Sequence, residues 1–329
     1  MCGIFFYTLG SRVTDSTRLS RCLEALMARG PEGFRTTAIE GYGMLGFTRL
    51  AINGLNDMAM QPMRQEDRTW ICNGEIYNWR QLAAEHDLRT DTGSDCEILG
   101  GLYEKFCHSG ISLEAFFNAL DGVFAMVIID EGRQQIVVAR DPYGVRPLYK
   151  GMCRETGRPV FASEIKALLP LCDDVQPFPP GHYQVIHMAG GMLYLQDSPK
   201  AFHTIPTVKQ PYYNNSAEKG GAAVKQALIT AVEKRVANSE REPACLLSGG
   251  LDSSLIAALV AKKLREEGRL PLRTYSIGME GSSDLRHAKM VADHIGSQHT
   301  EVIVTAEELF AAVPEVIRAI ESYDTTTVR

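Results

Sequence analysis

ACLLSGGLDSSLIAAL, residues 244–259, reads as a short buried strand, a glycine turn and a helix. Gly249 and Gly250 let backbone N–H groups turn inward around an anion. Ser248, Ser253 and Ser254 add hydroxyl donors, and the helix N-terminus adds the positive end of its dipole. Asp252 would repel a bare phosphate. It makes sense if it holds Mg²⁺, which then bridges phosphates. A glycine turn with an Asp or Ser cap can look similar without any ligand. The full S-G-G-L-D-S-S at a strand–helix junction favours the anion site.

The residues around this loop repeat its alternation. Val224, Leu228, Val232 and Val236 recur every four residues on a preceding helix. After the loop come the strand RTYSIGM, the helix DLRHAKMVADHI stopped by Gly296, and the strand HTEVIV. Strand–helix alternation predicts a parallel sheet with helical crossovers. Thr305 and Glu308 form a capping box for one more helix, which Pro314 either kinks or divides. About three strands are expected here, against the roughly five or six of an average sheet. The chain is therefore expected to be cut short within this domain.

Residues 1–200 read differently. Short runs such as CGIFFYTL, TWICNGEIYN, GVFAMVIID and QIVVARD are rich in β-branched and aromatic residues. Two helical stretches interrupt them, one with the apolar stripe Leu19, Cys22, Leu23, Leu26 and Met27, the other CEILGGLYEKF. This predicts a layered α/β or α+β domain over 1–200. A linker rich in Pro, Asn, Ser and Gly follows over 201–220, and a second domain over 221–329.

At 45% hydrophobic and 22% charged residues the composition is that of an ordinary globular protein. The formal net charge of −6, with no basic block, argues against a nucleic-acid partner. The N-terminus lacks the pattern of a signal peptide, and the longest apolar runs, such as VFAMVII at 123–129, suit buried strands. A cytoplasmic protein with no membrane partner is expected. Eight cysteines without a C-x-x-C pair are expected to be mostly reduced core residues. His182 and the other histidines have no metal-like spacing.

Cys2 stands apart. Loss of Met1 would leave a thiol and a free α-amino group on one residue. A thiol of pKa about 8.5 needs a base, and an α-amine of pKa about 7.7–8.0 is near the optimum for one. On its own, MC leaves two readings open: an N-terminal nucleophile or a buried strand cysteine.

The segments MCGIFF, RGPEGF, GFTRLAI, NGEIYN, GSDCE, DGVFAMVI and ARDPYGVRPLY resemble the N-terminal-nucleophile glutamine amidotransferase domain. Joined to LLSGGLDSS, SIGMEGSSDLRHAKMVADHIG and ESYDTTTVR, their order is similar to that of the glutamine-hydrolysing asparagine synthetase family. The resemblance implies a four-layer αββα Ntn-hydrolase domain. An α/β parallel-sheet ATP-pyrophosphatase domain would follow it, lacking the family's later SGEGSDE motif. It implies Cys2 as nucleophile, with Asn73 and Gly74 as oxyanion hole. Arg49 would pair with the α-carboxylate of glutamine, and Glu75 and Asp95 would take its ammonium side. Backbone groups of Leu50, Ala51, Ile52 and Asn53 would line the pocket. ATP would lie near Leu247 and Ile277, with Ser248, Gly249, Gly250, Asp252 and Ser253 holding pyrophosphate and Mg²⁺. Thr326, Thr327 and Arg329 would belong to a synthetase loop. Two departures are visible: Glu32 stands where the family usually has Asp, and Asn53 replaces an apolar residue.

The implied activity is a ligase. Glutamine hydrolysis supplies ammonia inside the protein, and ATP converts aspartate to β-aspartyl-AMP. Glutamine, aspartate and ATP are the implied partners, ATP as substrate with Mg²⁺, in a homodimer. Two alternatives stand beside it: a related glutamine-dependent amide-forming synthetase with another acceptor, and a glutaminase or nucleotide-binding module without synthetase activity. A chain of this length is expected to hydrolyse glutamine but make no asparagine.

Overall fold

The computed structural model describes residues 1–8, 16–189, 192–195, 198–205 and 217–324. The chain divides into two compact units, Met1–Thr207 and Val208–Arg329.

The first unit runs β1 (Gly3–Thr8), α1 (Ser16–Glu24), β2 (Phe34–Ile39), β3 (Gly43–Thr48), β4 (Met63–Gln65), β5 (Arg68–Ile76), α2 (Trp79–Glu85), α3 (Ile98–His108), α4 (Leu113–Ala119), β6 (Gly122–Asp130), β7 (Gln135–Arg140), β8 (Tyr149–Cys153), β9 (Pro159–Ala162), β10 (Cys172–Pro177), β11 (His182–Ala189), β12 (Met192–Leu195) and β13 (Lys200–Ala201). One sheet has the order β10-β8-β9-β1-β3-β2. The other is β12-β11-β7-β6-β5-β4, with β13 beside β11.

The two-residue alternation of the strands sorts side chains into layers. On β6, Phe124, Met126 and Ile128 face the helices α2–α4, whereas Ala125, Val127 and Ile129 face the other sheet. On β1, Ile4 and Phe6 fill the layer between the sheets, and Phe5 and Tyr7 pack beneath α1 with Cys22 and Leu26. Helix, sheet, sheet, helix is the four-layer αββα arrangement. Buried on both faces, these strands are almost continuously apolar, which is why they read so clearly in the sequence.

Two expectations shift in detail. Helix α1 stops at Glu24, and residues 25–30 continue as tight turns that still bury Leu26. The stretch 201–220 begins inside the first unit, where Ala201 pairs with His182 of β11 and Phe202 is buried, and it ends inside a helix.

The second unit runs α5 (Ala217–Asn238), β14 (Ala244–Leu246), α6 (Leu251–Glu266), β15 (Arg273–Gly278), α7 (Ser283–Ile295), β16 (Gln298–Ile303) and α8 (Ala306–Ile320). Its three strands are parallel in the order β14-β15-β16. Val232, Val236, Leu247, Ala257, Val260, Leu264, Ala288 and Ile295 form its core. Val224, expected on the buried stripe, is exposed; only the C-terminal half of α5 packs. Gly296 ends α7 in the left-handed conformation, and the Thr305–Glu308 capping box opens α8. Pro314 lies inside a single continuous α8.

Candidate active site

Cys2 stands just ahead of β1, at the end of the layer between the two sheets. Its position is fixed by the backbone around it. Gly3 N–H donates to Thr48 Oγ1 at 3.1 Å, Ile4 N–H donates to Ser163 Oγ at 3.0 Å, and Arg29 Nε donates to the Cys2 carbonyl at 2.9 Å. Arg29 is held in turn by Glu164 at 3.1 Å. The Cys2 thiol lies 3.4 Å from both the N–H and the carbonyl of Leu50. Burial pushes its pKa up, and the Leu50 N–H, the terminal ammonium and Arg146 oppose that shift. Burial also lowers the pKa of the Met1 α-ammonium.

One cleft gathers Cys2, Arg49, Leu50, Ala51, Ile52, Asn53, Asn73, Gly74, Glu75 and Asp95. Its floor is the far half of β5. Strand β4 accompanies β5 only as far as Trp70, so the edge beyond is open. Gln61 takes the place of a neighbour at Cys72, accepting the Cys72 N–H at 2.6 Å and donating to the Cys72 carbonyl at 3.1 Å. Asp95 accepts the Ile76 N–H at 2.6 Å on the same edge. Strand hydrogen bonds alternate in direction every residue, so the N–H of Gly74 points to this edge too, between those two anchors. A Cβ at residue 74 would lie 2.6 Å from the Val123 carbonyl oxygen and 3.0 Å from Cys72 Sγ. Asn73 is 1% exposed, and its Nδ2 has no partner among the described residues. A buried amide N–H without an acceptor costs free energy, and binding sites are where such costs are tolerated.

The charged walls are built separately. The Arg49 guanidinium donates to the carbonyls of Gly54 and Asn56. Glu32 accepts the Ala51 N–H at 2.9 Å, so its carboxylate shapes the loop after Arg49. Glu75 pairs with Arg146 at 2.8 Å. Asp95 is buried, and desolvation lifts its pKa to about 6 against the hydrogen bond from the Ile76 N–H. Arg29, Gln61 and Arg146 were not singled out in the sequence. Arg146 lies in ARDPYGVRPLY, where Asp141 gathers the N–H groups of Tyr143, Val145 and Arg146 into one turn. A thiol, two unspent N–H donors and walls of both signs suit addition to an amide carbonyl of a zwitterion.

The second unit has its own cleft, lined by Leu246, Leu247, Ser248, Tyr275, Ser276, Ile277, Asp284, Leu285 and Val302. It brings together Leu247, Ser248 and Ile277. Gly249, Gly250, Asp252 and Ser253 follow on the adjoining loop. Gly249 has φ +79°, and a Cβ there would lie 2.5 Å from the Ala288 nitrogen. Ser248 and Ser253 hydroxyls are 2.9 Å apart, and Ser254 Oγ donates to the Gly250 carbonyl at 2.6 Å. Asp252 is exposed on the first turn of α6. Tyr275, Ser276 and Asp284 were not anticipated. Thr326, Thr327 and Arg329 lie outside the described residues.

Comparison with known proteins follows the two units. Residues 1–196 match the family described as glutamine amidotransferase domain, and residues 223–329 match asparagine synthase. The asparagine synthetase [glutamine-hydrolyzing] of Homo sapiens is 39% identical over 353 aligned positions, covering 100% of this chain and 61% of that protein. That of Gallus gallus is 38% identical over 355, with the same coverage. The chain thus spans 61% of the length of these curated relatives. The B. subtilis glutamine phosphoribosylpyrophosphate amidotransferase complexed with ADP and GMP aligns at TM-score 0.52 with 17% identity, covering 98% of this chain and 94% of that one. At that identity the likeness speaks for the fold alone. The first match takes in well over half of the 329 residues, including every side chain of the Cys2 cleft. By that measure the chain belongs to the glutamine amidotransferase domain family.

Proposed function

We propose that the protein makes asparagine from aspartate, using ATP and ammonia released from glutamine. The observation that carries this reading is the Cys2 cleft, with the thiol beside two unspent N–H donors on β5. Its pairing with a separate SGGLDSS loop adds the second half-reaction.

In the first half-reaction, removal of Met1 frees the α-amine of Cys2. That amine takes the thiol proton as sulfur attacks the side-chain carbonyl of glutamine, then returns it to the departing ammonia. Asn73 Nδ2 and Gly74 N–H stabilise the tetrahedral oxyanion. Water cleaves the thioester to glutamate. Arg49 faces the α-carboxylate. Glu75 is already neutralised by Arg146, so Asp95 supplies the net negative charge for the α-ammonium.

In the second half-reaction, Leu247 and Ile277 flank the adenine side of ATP, and Ser248, Gly249, Gly250 and Ser253 cradle its phosphates. Aspartate displaces pyrophosphate to give β-aspartyl-AMP, and ammonia displaces AMP. One exposed carboxylate among hydroxyls fits a Mg²⁺ carried in on the nucleotide; Asp252 would hold it, and the cation would neutralise phosphate charge. Thr326, Thr327 and Arg329 are assigned to the same step. No described helix is long and apolar enough to cross a membrane. All eight cysteines are free thiols, and this supports a cytoplasmic site of action, with a homodimer as the proposed assembly.

The test is an incubation of the full-length gene product with glutamine, aspartate and Mg-ATP, in which glutamate, pyrophosphate and asparagine are measured separately. Glutamate release that vanishes in Cys2→Ala is expected, with asparagine and pyrophosphate formed in equal amounts. Glutamate without either would leave a glutaminase and remove the synthetase half. Pyrophosphate release prompted by another carboxylic acid would point to a different acceptor.

A further inference from the structure

Strand β5 is covered along its whole length on one side only. β6 pairs with it from Arg68 to Ile76, whereas β4 stops at the Met63–Trp70 pair. On the uncovered edge the outward backbone groups come at every second residue: Cys72, Gly74 and Ile76. Side chains take two of these N–H groups. Gln61 Oε1 accepts that of Cys72 at 2.6 Å, and Asp95 Oδ2 accepts that of Ile76 at 2.6 Å. The Gly74 N–H between them faces the cleft.

Gln61 also donates Nε2–H to the Cys72 carbonyl at 3.1 Å. Its amide thus closes the two-bond ring that a neighbouring strand would make with one residue. Gln61 is buried, stands between the buried Ala59 and Met63, and lines the Cys2 cleft. Cys72 is 1% exposed, so water has no access to replace the amide there. The carbonyl that Gln61 holds belongs to the peptide joining Cys72 to Asn73. That peptide is planar, so fixing its carbonyl fixes the direction in which Asn73 leaves it. One peptide further on comes the Gly74 N–H.

We propose that Gln61 is a positioning residue for the oxyanion hole: standing in for the missing strand at Cys72, it holds the Asn73 amide and the Gly74 N–H in their aim at the carbonyl attacked by Cys2. This rests on the glutaminase reading above. Gln61 acts through the backbone of β5 and touches no substrate, so its removal should weaken the transition state and spare the bound ground state.

The experiment uses the full-length gene product as wild type, Gln61→Met (similar length, no hydrogen bonds) and Gln61→Glu (the Cys72 N–H acceptor kept, the donor lost). Glutamine kcat and KM are measured, with inhibition by two analogues. L-Norvaline has the same α-amino acid head and chain but no carbonyl. The γ-aldehyde analogue of glutamine adds the Cys2 sulfur to its carbonyl carbon, giving a thiohemiacetal whose oxygen needs the oxyanion donors. Gln61→Met should lower kcat about tenfold, a part of the hundredfold or more that losing a whole donor costs, and weaken the aldehyde by the same factor. Glutamine KM and norvaline inhibition should stay within about twofold. Gln61→Glu should lose about threefold in kcat and in aldehyde affinity. Equal weakening of norvaline and the aldehyde, the mark of a merely loosened fold, overturns the proposal. So do kcat and aldehyde affinity within about twofold of wild type in a folded Gln61→Met. If Gln61→Met does not fold, Gln61→Glu carries the same comparison. Wild type that neither hydrolyses glutamine nor takes up the aldehyde at Cys2 would instead remove the reading beneath it.

Discussion

Gly74→Ala is the sharpest perturbation of the oxyanion strand. The added Cβ would stand 2.6 Å from the Val123 carbonyl oxygen, 2.9 Å from Phe124 Cβ and 3.0 Å from Cys72 Sγ. Ordinary contact begins near 3.5 Å, so the strand is short by roughly 0.9 Å. The Val123 oxygen belongs to β6, and the next residue, Phe124, is held from the other side by the backbone N–H and carboxylate of Asp141, so β5 must give. A shift of that size carries the Gly74 N–H off its aim. Full loss of one oxyanion donor costs about 2.7–4 kcal/mol. Partial loss of about 2 kcal/mol corresponds to roughly 30-fold in kcat. Overpacking should add about 1–3 kcal/mol of instability. Steady-state glutamate release at saturating glutamine gives kcat, and thermal unfolding shows whether the fold survives. A folded Gly74→Ala with kcat within threefold of wild type would refute the placement of the Gly74 N–H in the transition state.

Other outcomes follow from the same geometry. Asn73→Ala should lower kcat by about a hundredfold or more while barely affecting stability, because the lost donor has no partner in the free protein; kinetics and denaturant titration together check this. Arg146→Met should destabilise by about 3 kcal/mol by leaving Glu75 unpaired, and Glu75→Gln in the same chain should restore most of it, measured by urea unfolding. For Asp95, kcat/KM for glutamine should fall about tenfold per pH unit below a limb near 6. Its folded pKa is raised, so the stability it contributes is present below about pH 4 and lost as pH rises through about 6; Asp95→Asn should remove that slope. Gly249→Ala should abolish ATP binding, since it demands both a positive φ and space occupied by His287 and Ala288; calorimetry on a glutamine-hydrolysing sample separates this from global unfolding.

The sequence carried the features that depend on local pattern. Strand runs buried on both faces, the Gly296 stop, the Thr305–Glu308 cap and the SGGLDSS junction are all local, and each could be read in place. Cys2, Asn73 and Gly74 were reached through resemblance, and the fold then supplies their geometry. What escaped depends on pairing across the chain. Gln61 matters only because β4 ends early and leaves an edge for its amide. Arg146 is ordinary until the turn ordered by Asp141 swings it against Glu75, 71 residues away. Strand β13 is two residues long, too short to show any alternation. Val224 continues the apolar period of α5 onto turns that bury nothing, because periodicity marks a face without saying how far its partner extends.

The place of β1 has a bearing on how the protein is made. It is an interior strand, bounded by β3 on one side and β9 on the other. The anchor of Ile4 depends on Ser163, 159 residues further on. At the usual pace of synthesis that separation lasts about 8–30 s. Through that interval β1 is paired on one side only, by β3, and its other edge stays open. The first residues therefore remain open to the removal of Met1 that the proposed function requires. Once β9 emerges and closes the sheet, the trimmed terminus is drawn into place. Under the role proposed for Cys2, the order of synthesis would put processing before assembly, with the thiol brought into its cleft only when the domain around it is nearly complete.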